Sequence, residues 1–142
     1  MSKQRYSDSQ FQHLPSTPAV HPGSRVVLVA EDEEALREIA VTVLQRAGYL
    51  LLAADSAEAA LKAVDQQGQK VDLLISDVYL PGCGTSLFQE LIAMNPKMKV
   101  IFVSGHPRDV VAADLSIPAD AAFLEKPFDT TDLVALAHKV LH

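Results

Sequence analysis

The chain has 142 residues, 49% of them apolar and 21% charged, a balance that suits one globular domain and leaves no room for two ordinary ones. Eighteen acidic against twelve basic side chains give a net charge of −6, a field that repels nucleic-acid phosphates and argues against direct DNA binding. A single cysteine, Cys83, excludes an internal disulfide, no Cys/His spacing matches a zinc site, and no apolar run reads as a signal peptide or membrane span, so a cytoplasmic protein without membrane insertion is expected.

Residues 1–24 carry Pro15, Pro18, Pro22 and Gly23 among polar side chains and read as a flexible leader or linker, with the folded domain over residues 25–142. From Val26 onward short apolar runs alternate with stretches of helical spacing, the signature of βα units on a parallel sheet. The runs Val26 to Val29, Leu50 to Ala53, Val71 to Ile75, Val100 to Val103 and Ala122 to Leu124 predict five strands covered on both faces. Between the first two, Leu36, Ile39, Val43, Leu44 and Ala47 predict a helix whose stop is Gly48. Ser56 predicts the cap of a second helix that buries Ala57, Ala60, Leu61 and Val64 and ends at Gly68. A third, opened by Thr85 or Ser86, would bury Leu87, Leu91 and Met94 before Pro96. Val110, Val111 and Leu115 give a short fourth helix after Pro107, and Leu133, Leu136, Ala137 and Val140 a fifth that starts at Asp129 or Thr130.

Right-handed crossovers assemble such units into a doubly wound α/β sheet, whose sites lie at the carboxyl ends of its strands. Glu31 and Asp32 follow the first strand, Asp77 ends the third, Ser104 ends the fourth and Lys126 follows the fifth, so all five meet one rim. Taken singly, each acidic residue reads more readily as a helix cap or solvated turn. Together, three carboxylates in one crevice repel each other unless a cation neutralises them. Hard oxygen donors with room for a phosphate oxygen describe Mg2+, with Mn2+ as a substitute. Lys126 supplies a positive charge that can pair with Asp77 and later grip a phosphoryl oxygen, and Ser104 a hydroxyl for another. The peptide before Pro127 is a candidate cis bond.

Four ordered stretches carry a family resemblance over residues 25–141: VVLVAEDEE, LLISDVYLPG, FVSGH and FLEKPF. The chain resembles the receiver (response regulator) domains of bacterial two-component signalling. The resemblance, rather than composition, implies a flavodoxin-like receiver fold with the five-stranded parallel order 2-1-3-4-5. It implies Asp77 as phosphoacceptor from a kinase phosphohistidine, Asp32 as a direct metal ligand, Glu31 as a residue that helps hold the metal, and the backbone carbonyl of Tyr79 as a further ligand. It also implies that Ser104 and an aromatic ring at Phe123 move together on phosphorylation, although Phe123 reads equally well as a core ring that stays in place. Tyr79 and His106 depart from the commonest patterns beside the reactive group and receive no catalytic role.

The implied chemistry is self-directed phosphoryl transfer with slow loss to water, not the turnover of an enzyme. Implied partners are a sensor histidine kinase or phosphotransfer protein, a downstream protein target, and a second copy in a homodimer. The SGH and FLEKPF stretches look similar to hybrid-kinase receivers. Two readings compete: a phosphohydrolase with an aspartate nucleophile, whose usual second aspartate is replaced here by Tyr79, and a receiver-like interaction module that is never phosphorylated. His13, His21, His138 and His142 are read as solvated, and Cys83, beside Pro81, Gly82 and Gly84, as filling a tight loop.

Overall fold

A computed structural model describes residues 24–68, 70–115 and 117–142; the leader expected over residues 1–24 lies, but for Ser24, outside the described residues, as do His13 and His21. Five strands and five helices alternate: β1 (Val26–Ala30), α1 (Glu34–Arg46), β2 (Leu50–Ala54), α2 (Ala57–Gln67), β3 (Leu73–Asp77), α3 (Gly84–Met94), β4 (Lys99–Ser104), α4 (Arg108–Asp114), β5 (Ala122–Glu125) and α5 (Thr130–Leu141). The strands pair in parallel in the order β2-β1-β3-β4-β5, as the resemblance implied. Among the described residues no helix is long and apolar enough to cross a membrane.

Alternation along the strands divides the core between the two faces of the sheet. Val26, Leu28, Leu74, Val100 and Phe102 face α2, α3 and α4 through Ala57, Ala60, Leu87, Leu91 and Val111. Val27, Val29, Leu73, Ile75, Ile101 and Val103 face α1 and α5 through Ala40, Leu44, Leu133, Ala137 and Leu141. Each central strand therefore buries nearly every side chain, which explains its continuous apolar run. The edge strands differ from the expectation of full cover: β2 and β5 have a neighbour on one side only, and most of their side chains are half-buried.

Local signals act where expected at several ends. The Ser56 hydroxyl accepts from the Ala59 amide at 3.1 Å and caps α2, and Gly68 takes the left-handed conformation that closes it. Other boundaries need correction. The third strand, Leu73–Asp77, ends at Asp77 as expected but starts two residues later than the run Val71 to Ile75, because Asp72 serves as a bridge: its carboxylate accepts from the Val26 amide at 2.7 Å, and its own amide donates to the Val26 carbonyl. The strand then runs on through Ser76, a small side chain that is fully buried and donates to the Asp77 carbonyl at 3.0 Å. Helix α3 opens at Gly84 rather than at Thr85 or Ser86, since a methyl group at Gly84 would collide with the Asp77 carbonyl oxygen. Met94, expected inside, is exposed, as are Ile39 and Ala47 of the α1 pattern; the buried stripe of α1 runs through Ala40 and Leu44.

Candidate functional site

The sheet order sets β1 beside β3, so the residues just past Ala30 and the last residue of β3 arrive at one place. Oxygens of Glu31, Asp32 and Asp77 lie within 4.8 Å of one another, with Glu31 buried, Asp77 half-buried and Asp32 exposed. Lys126 reaches this group from the far side of β4: its Nζ is 2.9 Å from Glu31 Oε1 and 2.9 Å from Asp77 Oδ2. The Lys126–Pro127 peptide is cis, and the Lys126 amide donates to the Ser104 carbonyl at 2.7 Å.

Backbone groups hold the carboxylates in place. Glu31 Oε2 accepts from the Glu33 amide at 3.0 Å, and Asp77 Oδ1 accepts from the Tyr79 amide at 2.9 Å. Each carboxylate thus offers one oxygen to an amide and the other to Lys126, while the α1 side chain Arg37 donates from Nη1 to the Glu31 carbonyl at 3.0 Å. Burial pushes the Glu31 carboxyl above its usual range, against the Glu33 amide and the Lys126 ion pair, which work to lower it; the negative charge of Asp77 adds to the rise. For Lys126, burial works to lower the ammonium, but the bonds to Glu31 and Asp77 outweigh it and hold the group above the ordinary lysine range. The Lys126 shift is that of a cation confined between two carboxylates, whereas the Glu31 shift is set by burial.

Ser104 stands on the neighbouring strand, fully buried, with its hydroxyl accepting from the His106 amide at 3.0 Å. The Tyr79 and His106 rings meet edge to face with centroids 5.6 Å apart, so the loops after β3 and β4 touch above the strand ends. Phe123 lies on β5 opposite Phe102, half-buried, at the margin of the core on the α2–α4 side.

The structure therefore brings Glu31, Asp32, Asp77 and Lys126 together, sets Ser104 one strand over, and leaves Phe123 apart from the acidic group. Sequence reasoning missed the supports: the Glu33 amide, Arg37, and Gly84, whose lack of a side chain lets α3 start against the Asp77 carbonyl. Only Gly84 left a trace, as the second glycine flanking Cys83.

Comparison with known proteins agrees with this geometry. The family described as response regulator receiver domain matches residues 27–138. The chain is 39% identical over 120 residues to the sensor kinase CckA of Brucella abortus (strain 2308), a match that covers 84% of the chain but 13% of the kinase. It is 31% identical over 116 residues to the response regulator receiver protein CpdR of the same organism, covering 81% of the chain and 95% of CpdR. Among solved structures, a response regulator receiver protein from Sinorhizobium medicae WSM419 superposes with a TM-score of 0.73 at 26% identity, over 84% of the chain and 95% of that protein. The receiver domain from the hybrid histidine kinase CckA superposes with a TM-score of 0.69 at 31% identity, over 82% and 99%.

Proposed function

This chain belongs to the response regulator receiver domain family of two-component signalling, and on that premise we propose that Asp77 accepts a phosphoryl group from a phosphohistidine of a sensor histidine kinase or phosphotransfer protein. The observation that carries the reading is the position of Lys126, whose ammonium spans Glu31 and Asp77 at 2.9 Å each inside the acidic cluster. An ammonium placed there neutralises the nucleophile at rest and is already beside the oxygens that would arrive with the phosphoryl group.

The donor set fits a magnesium ion. Three carboxylates against one lysine leave two negative charges, every donor is a hard oxygen, and exposed Asp32 opens the cluster to solvent. Asp32 and Asp77 would hold the ion, with Glu31 and the Tyr79 backbone carbonyl as further supports. When bound, magnesium supplies positive charge against the phosphoryl oxygens.

The residues carry out the transfer as follows. A carboxylate oxygen of Asp77 forms a bond to phosphorus as the bond from phosphorus to the donor imidazole nitrogen breaks; the electron pair stays on that nitrogen, and the donor ring, protonated on its other nitrogen, leaves as neutral histidine beside an acyl phosphate on Asp77. The Tyr79 amide keeps the other oxygen of Asp77 fixed, which aims the nucleophile. Lys126 exchanges its bond with Asp77 for one with a phosphoryl oxygen, and Ser104 gives up the His106 amide to donate its hydroxyl to another. Phe123 follows into the space behind Ser104, shifting the population between two packings of the α4–β5 face. The group then leaves Asp77 by hydrolysis, so the chemistry is self-directed and the protein is not a multiple-turnover enzyme. A downstream protein, and a second copy of the chain, would read the altered α4, β5 and α5 face.

Mass spectrometry of the protein incubated with magnesium and acetyl phosphate, beside Asp77→Asn, tests this reading. A phosphoryl adduct on Asp77 in the unsubstituted protein alone is the expected result. Failure to form one, or to bind beryllofluoride, with several donors would overturn it.

A further inference from the structure

Phe123 has a charged neighbour that belongs neither to the acidic cluster nor to the core. Arg108, the first residue of α4, donates from Nη1 to the Ala121 carbonyl at 2.7 Å and from Nη2 to the carbonyls of Ala119 at 2.9 Å and Pro118 at 3.4 Å. Its guanidinium carbon lies 6.0 Å from the centre of the Phe123 ring. The carbonyls belong to the segment that leads into β5, so one side chain ties the start of α4 to the approach of β5 and places a cation on the ring between them.

The chemistry of guanidinium makes this a restraint rather than a passing contact. Its planar fork is committed to three carbonyls, so the charge does not travel with the ring, and a movement of Phe123 along β5 toward Ser104, away from Ala121, parts the two. Phe123 pairs with Phe102, and two residues further along the same ladder Glu125 pairs with Ser104. Ring and hydroxyl are therefore close enough along the strands to exchange space, while the cation stays behind.

We propose that Arg108 is a latch: a positioning residue that holds Phe123 in its resting place and sets how much of the population adopts the packing that favours a phosphorylated Asp77. This inference rests on the reading above, in which Phe123 moves with Ser104. Part of the binding energy of a phosphoryl group is then spent on parting the ring from the guanidinium. Without the latch that cost disappears, and affinity for a phosphoryl mimic rises by about two- to fivefold, the size of a cation–π contact at a half-exposed site.

The test is calorimetric titration of beryllofluoride in the presence of magnesium, on the full chain, for the unsubstituted protein, Arg108→Met, Phe123→Leu and the double variant. The latch predicts tighter binding for Arg108→Met and no such gain when the same substitution is made in the Phe123→Leu background. Unchanged or weaker binding in Arg108→Met, or an equal gain in both backgrounds, overturns it and leaves Arg108 as a pin for the segment before β5. Should Arg108→Met fail to fold, Arg108→Lys keeps a cation but loses the fork, and a smaller gain, again absent without the Phe123 ring, is expected; no gain overturns the latch. No binding by the unsubstituted protein defeats the acceptor reading itself, an outcome distinct from bound but equal affinities.

Discussion

The central strands and the β5 edge of the sheet answer to different demands. β1 buries all five of its residues and β3 its first four, and the acidic residues hang directly from their ends. β5 leaves its side chains half-buried or exposed, and it carries Phe123. A nucleophile must be held still, and close packing on both sides of a strand does so. In the proposed reading Phe123 moves when Asp77 is phosphorylated, and a half-buried position on an edge strand leaves it room to do so. Lys126 joins the two regions, rooted just past the edge strand yet ion-paired with carboxylates on the central ones.

The largest effect expected at the central strands is chemical. Asp77→Asn keeps one oxygen for the amide contact of Tyr79 but replaces the nucleophilic carboxylate oxygen with an amide nitrogen, so no phosphoryl adduct forms; an adduct that persists at Asp77→Asn would move the acceptor elsewhere. Next comes packing. Phe102→Ala, at a fully buried position, is expected to cost about 3–5 kcal/mol in denaturant unfolding. Phe123→Ala, half-buried at the edge, should cost about 1–2 kcal/mol. Equal losses would erase the contrast between a fixed centre and a yielding edge.

A smaller effect sharpens the role of the residue that joins them. Lys126→Met removes the ammonium held between Glu31 and Asp77, so the carboxylates lose the charge that competes with a metal. Magnesium binding, followed by calorimetry, should tighten by about three- to tenfold, while beryllofluoride binding weakens because its oxygens lose a partner. A loss of both affinities together would show that Lys126 builds the pocket rather than balancing its charge.

The same contrast governs what was legible in the sequence. Strand ends that carry Glu31, Asp32, Asp77 and Lys126 were readable because buried strands appear as unbroken apolar runs and the chemistry follows where each run stops. The strand order came only through family resemblance, since apolar runs do not say which neighbour they choose. The apolar run Val71 to Ile75 starts two residues ahead of the strand because Val71 is buried below it, while Ser76, polar but small, continues the strand to Asp77. Ile39 and Met94 fit a helical stripe, yet the helices turn them to solvent, a choice made by packing rather than periodicity. Nothing in the sequence marks Arg108, because its partners are backbone carbonyls, which have no signature there.

The loop between β3 and α3 offers the mildest test of how locally these environments are set. Cys83 lies half-buried with a positive φ of 75°, its Sγ 3.1 Å from Thr85 Oγ1. Donation from the Thr85 hydroxyl, helped by the Ser86 amide and opposed by burial, lowers the thiol to about 7. The thiolate is the form that reacts with an alkylating reagent, so the rate at Cys83 should rise as pH passes through about 7 and level off above it, well before an ordinary thiol would. Thr85→Val removes the donor and should move that rise to higher pH without altering acceptor chemistry at Asp77, whose carboxylate is held by Tyr79 and Lys126 instead. A profile that Thr85→Val leaves unmoved would assign the shift to the backbone of α3. A concurrent loss of Asp77 phosphorylation would show that the loop and the acidic rim are one unit, against the separate supports seen for each.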